Sequence, residues 1–160
     1  MINVTLIVLG KLKEKYLKSA CDEYIKRLST LCKLNIVELS PVPLPENPSE
    51  LQIKQALENE TKDITAKIPK NSKLVTMCIE GKQMPSKNFS SFFNKSALSG
   101  FGSITFVIGS SYGLSEEIKK KSDLKLSMSE MTFPHQLARV MLLEQIYRAL
   151  MISNKRKYDK

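Results

Sequence analysis

Ile104-Thr105-Phe106-Val107-Ile108-Gly109-Ser110-Ser111-Tyr112-Gly113-Leu114 carries an apolar run straight into a turn of small residues. A β-branched and aromatic run bounded by glycine predicts a strand over 104–108. Soon after, 124–128 predicts a second strand. It leaves through Ser129-Glu130-Met131-Thr132-Phe133-Pro134-His135-Gln136 into a long apolar helix. Two strand exits so close in sequence, both rich in small or backbone-exposing residues, predict a pocket of main-chain N–H and C=O groups. Such a pocket suits a nucleotide-like cofactor, held by backbone hydrogen bonds and apolar contact. His135, the chain's single histidine, stands beside it.

The rest of the chain supplies a frame for that pocket. Residues 2–9 form another nearly continuous apolar run and predict a first strand; they lack the basic leader and cleavage site of a signal peptide. Leu12, Tyr16, Leu17, Ala20, Tyr24, Leu28 and Leu31 recur at helical spacing over 12–31. Residues 34–39 alternate as a strand, and Pro41, Pro43, Pro45 and Pro48 then hold an extended loop. Ser49 with Gln52 has the spacing of a capping box and opens a helix to about Ile68, before Pro69. A strand over 74–79 ends at Gly81, and a helix from Ser86 to Leu98 ends at Gly100 and Gly102. Ser115 caps a short helix to Lys121. Strands alternating with helices in one domain spanning 1–160 give an α/β class: a parallel-type sheet with helices on both faces.

Charge points to a polyanionic partner. The net charge is +9, with a sequence pI near 9.5. Lys11, Lys13, Lys15, Lys18, Lys26, Arg27 and Lys33 crowd the first helical region, and Lys155, Arg156, Lys157 and Lys160 the C-terminus. Two such clusters make one nucleic-acid patch if they meet in space. No apolar run is long enough to cross a bilayer. Cys21, Cys32 and Cys78 form no C-x-x-C pair; they are expected as buried thiols of a cytoplasmic protein, with no metal site. The last helix, about 134–152, is apolar nearly all round. One side packs on the sheet; the other faces either more of the same subunit or a second copy.

Gly109-x-x-x-Gly113-Leu114, then Leu126-Ser127 leading to Met131-Thr132-Phe133-Pro134-His135-Gln136, then Arg139 and Glu144-Gln145-x-Tyr147-Arg148-Ala149, resemble the bacterial large-subunit ribosomal RNA pseudouridine N3-methyltransferases. These belong to the SPOUT class. Gly10-Lys11-Leu12-Lys13-Glu14-Lys15-Tyr16, Ile79-Glu80-Gly81-Lys82 and Lys157-Tyr158 carry the resemblance over the whole chain. It implies a SPOUT fold with a C-terminal trefoil knot, contrary to the general avoidance of knots. It implies S-adenosylmethionine as cofactor, a homodimer, and a pseudouridine of 23S rRNA modified on the assembled ribosome. It places the cofactor on Met77, Gly109 and the segment Met128, Ser129, Glu130, Met131, Thr132 and Phe133. Two positions depart from the family: Ser110 replaces a second glycine, and Asp159 replaces a histidine after Tyr158.

Methyl transfer to N3 needs the imide proton removed or shared, and the nitrogen held about 3 Å from the methyl carbon. His135 fits a general base, since an unperturbed imidazole titrates near pH 6.5; otherwise it caps its loop or orients Arg139. Arg139 suits a phosphate or the uracil carbonyl, or else pairs with Glu144 or with an acid of a second subunit. Tyr158 suits stacking on a base. A dinucleotide oxidoreductase would need G-x-G-x-x-G after the first strand, where Gly10 stands alone, and NAD binding would be its mark. A non-catalytic ribosome-binding module accounts for the charge but not for the cofactor loops.

Overall fold

A computed structural model of the chain describes residues 1–156. The elements follow in the order β1 (Ile2–Leu9), α1 (Lys15–Leu28), β2 (Cys32–Leu39), α2 (Glu50–Lys67), β3 (Ser72–Lys82), α3 (Ser86–Leu98), β4 (Ser103–Ile108), α4 (Glu116–Lys121), β5 (Leu124–Leu126) and α5 (His135–Ser153). The five strands form one sheet in the order β2-β1-β4-β3-β5, and every adjacent pair is parallel. Parallel pairing explains the unbroken apolar runs. All six residues of β4 are buried, because α1, α3 and α5 cover one face and α2 and α4 the other. On the first face Leu6, Phe106, Leu142 and Ile146 meet. On the second, Ile7, Val107, Ile64 and Ile118 meet.

Local signals set most boundaries. Ser49 Oγ accepts from Gln52 N–H, and Gln52 Oε1 accepts from Ser49 N–H, so the expected capping box is complete. Ser115 Oγ likewise caps α4 by accepting from Ile118 N–H. β3 and β5 differ from expectation. β3 runs on to Lys82, and its pairing with β5 shifts register between Met77 and Lys82. β5 stops at Leu126, two residues early. The intervening Cys78–Gly81 arch is possible because Gly81 has no side chain. A Cβ there would stand 2.7 Å from the Lys125 carbonyl oxygen.

Helix α5 buries Arg139, Leu142, Leu143, Ile146, Ala149 and Leu150. Val140, Met141, Tyr147 and Met151 on its other sides are half-buried. They belong to a surface beside a groove of about 480 Å³, lined in part by Tyr24, Met84, Met128, Val140 and Met141. Cys21 and Cys32 are buried and Cys78 is half-buried; all three are free thiols. Burial pushes the Cys32 thiol up to about 11. No described helix is long and apolar enough to cross a membrane.

Candidate active site

The C-terminal ends of β3, β4 and β5 open on one edge of the sheet, and their exits enclose a cavity of about 780 Å³. Met77 to Glu80 form one wall, Ile108 to Leu114 a second, and Leu126, Met128 and Ser129 a third. Met131 to His135 and Ala138, from the entry into α5, complete it. This is the place where parallel sheets bind ligands, beyond the carboxyl ends of their strands. The size suits a small organic cofactor.

The glycine turn is drawn tight. Gly113 N–H donates to the Ser110 carbonyl at 2.8 Å, and Gly113 adopts φ +84°. A Cβ on Gly109 would stand 2.3 Å from the Gly113 carbonyl oxygen. Glycine at 109 is therefore required by the turn itself, before any ligand is considered. Ser110, the departure from the family pattern, has a partner: its hydroxyl donates to Glu60 at 2.8 Å.

The second loop braces itself. Ser127 Oγ donates to the Ser129 carbonyl at 3.0 Å, and Met131 N–H donates to Ser129 Oγ at 3.0 Å. Met128 packs against the main core, whereas Met131 is 75% exposed at the cavity rim. Met77, Gly109, Met128, Ser129, Met131, Thr132, Phe133 and His135 thus line one cavity. Glu130 is exposed and outside the lining. Cys78, Ile79, Glu80, Lys119 and Ala138 also line it, though the sequence did not assign them to the cofactor site. Lys119 bonds Glu80 at 2.5 Å across the wall; neither residue type nor spacing announces that pair.

His135 is half-buried and faces the β1–α1 turn, its Nε2 lying 3.6 Å from where a Gly10 Cβ would be. Burial first, then the charges of Arg139 and Lys13, hold its pKa below the usual 6.5. Arg139 pairs otherwise than either sequence expectation. It is 4% exposed and stands outside the cavity lining. Its NH1 pairs with Glu38 Oε2 at 3.0 Å, and its NH2 donates to the Gly10 carbonyl at 3.1 Å. The considered partner Glu144 instead holds Arg148 at 2.7 Å. Both guanidinium contacts of Arg139 thus tie the start of α5 to β2 and to the turn after β1. Gln136 Oε1 accepts from Lys13 N–H at 2.9 Å, so the start of α5 is stitched to the lysine-bearing turn. Tyr158 and Asp159 lie outside the described residues.

The family model described as "Predicted SPOUT methyltransferase" matches residues 2–159. The chain belongs to the SPOUT methyltransferases. It is 50% identical over 159 residues to "Ribosomal RNA large subunit methyltransferase H 1" of Clostridium perfringens (strain SM101 / Type A), covering 99% of this chain and 100% of that one. It is 48% identical, with the same coverage, to "Ribosomal RNA large subunit methyltransferase H" of Leuconostoc mesenteroides subsp. mesenteroides. A solved structure from Haemophilus influenzae Rd KW20, described as a probable methylase family protein, superposes with TM-score 0.56 at 14% identity. It covers 99% of this chain and 71% of that chain, and it bears on the fold alone.

The cofactor of SPOUT methyltransferases is S-adenosylmethionine, and the cavity's own residues fit it. Met77, Ile108, Leu126, Met128 and Phe133 offer apolar walls for a base. The strand ends offer backbone donors and acceptors. The described residues contain no cluster that could hold a metal ion.

Proposed function

We propose that this SPOUT methyltransferase acts on large-subunit ribosomal RNA, at N3 of a pseudouridine, on the assembled ribosome. The observation that carries the reading is end-to-end identity of about half with relatives named for large-subunit ribosomal RNA methylation. Bound in the cavity, S-adenosylmethionine supplies an activated methyl group on a sulfonium. Met77, Gly109 and the segment 128–133 hold and orient that group, with Glu130 turned to solvent. His135 takes the N3 proton. Its lowered pKa keeps the ring neutral at physiological pH, as a base requires. Arg139 acts indirectly, by fixing the Gly10 turn and the lysines that follow it.

The active form is a two-fold homodimer. Its contact surface is the half-buried side of α5 and the adjoining groove. Of the first basic cluster, Arg27 stands over the Tyr147 ring at 5.8 Å, in the second half of α5. Lys13 adjoins the first turn of α5, and Lys155 lies past its end. Nineteen helical residues separate them by about 28 Å. Antiparallel packing of two α5 helices brings Lys155 and Arg156 of one chain towards the cavity of the other. The C-terminal trefoil knot of the SPOUT class is part of the proposal.

The test is mass spectrometry of large-subunit RNA from a deletion strain, with and without the gene restored. Loss and return of a methylpseudouridine is the expected result. An unchanged signal would sink the assignment and leave the ribosome-binding module as the better reading.

A further inference from the structure

Glu60 lies on α2, outside the cavity, and is 3% exposed. Its two oxygens reach two different loops. Oε2 accepts from Val42 N–H at 2.8 Å, in the proline-rich segment after β2. Oε1 accepts from Ser110 Oγ at 2.8 Å. Ser110 opens the glycine turn and lines the cavity. The next residue, Thr61, bonds Ser115 Oγ at 2.5 Å, at the other end of the same turn. Two consecutive side chains of one helix therefore hold both ends of the turn.

Counting protons fixes the direction of each bond. Thr61 has one hydroxyl proton and donates it to the Leu57 carbonyl at 2.8 Å. Ser115 must then donate to Thr61, and its oxygen accepts from Ile118 N–H at 3.3 Å. Ser110 also has a single proton, and Glu60 receives it. The Ser110 oxygen is left with only lone pairs to turn towards the cavity. S-adenosylmethionine carries O–H donors on its ribose and N–H donors on its adenine and α-ammonium groups.

We propose that Glu60 is a positioning residue for the cofactor site: by accepting the hydrogen bond of the Ser110 hydroxyl it presents Ser110 Oγ to the cavity as an acceptor for a hydroxyl or N–H donor of S-adenosylmethionine. This rests on the cavity being the site of that cofactor. A purely structural Glu60 would anchor Val42 and leave cofactor affinity alone.

Glu60→Gln separates the two. Its Oε1 can still accept from Val42 N–H, and its Nε2 can donate to Ser110 Oγ, so both anchors survive. The serine is reversed, and its proton now points into the cavity. Calorimetric titration of the full chain with S-adenosylmethionine should give a Kd raised about three- to tenfold in E60Q and in S110A, the range of one hydrogen bond. Thermal unfolding of E60Q should stay close to that of the unaltered chain. The double variant should bind no more weakly than S110A alone, because Glu60 acts through the hydroxyl. An unaltered Kd in E60Q overturns the proposal. Full additivity also overturns it, since the lost charge would then act on the cationic cofactor directly. If E60Q does not fold, an unaltered Kd in S110A is enough to overturn it. Failure of the unaltered chain to bind S-adenosylmethionine would instead remove the cavity assignment, and this inference with it.

Discussion

A lone imidazole gives the site a clean probe, since His135 is the only histidine in the sequence. Its NMR titration should lie below 6.5, because burial and two neighbouring cations all disfavour the charged ring. Arg139→Gln removes one of those cations and should move the midpoint up. A midpoint unmoved by that change would mean that Arg139 is not felt at the ring. If His135 is the base, the rate should fall only on the acid side, with its midpoint below 6.5, because protonation removes the acceptor. Gly109→Ala is a harsher change. The new Cβ would overlap the Gly113 carbonyl, so the turn must open at a cost of about 1–3 kcal/mol. Both cofactor affinity and thermal stability should drop. Gly109→Val, with its branched side chain, should disrupt the turn further.

The elements were largely legible, and the reasons are local. A capping box, a glycine stop and an apolar run each act within a few residues, so α2, α3 and β4 fall where their signals lie. Arg139 was not legible, because its acid is 101 residues away and i,i+4 spacing offers no hint of it. The Ser110–Glu60 contact spans 50 residues and is equally silent in the pattern. The overrun of β3 escaped notice for a similar reason, since Gly81 reads as a stop until β5 is seen against it. Helix α5 shows how far periodicity goes. It marks the helix as apolar all round but cannot say which residues face the sheet. Leu143, which the pattern left eligible for a subunit contact, is 0% exposed in the subunit core. Leu143→Glu should therefore unfold the chain, since an unpaired buried carboxylate costs several kcal/mol. Met141→Glu, on the groove side, should leave a folded chain that elutes as a monomer. A dimeric M141E would move the proposed interface elsewhere.

Across the whole molecule, the two basic clusters make salt a useful variable. Ribosome affinity should fall steeply as salt rises, and Lys155→Ala with Arg156→Ala should flatten that slope without altering cofactor affinity. Subunits lacking 154–160, mixed with Gly109→Ala subunits, should recover activity if the tail serves its partner. Mixed dimers without activity would confine the tail to its own chain. The cavity has one more consequence. Its walls come from β3, β4, β5 and the start of α5, and its turn is held from α2. Both faces of the sheet contribute to it, so the cavity depends on packing well beyond its own loops. Ligand occupancy and global folding are then one equilibrium. S-adenosylmethionine at a hundred times its Kd should add about 2.7 kcal/mol to the unfolding free energy. For a chain of this length, that should raise the melting temperature by about 5–10 °C in a single cooperative transition.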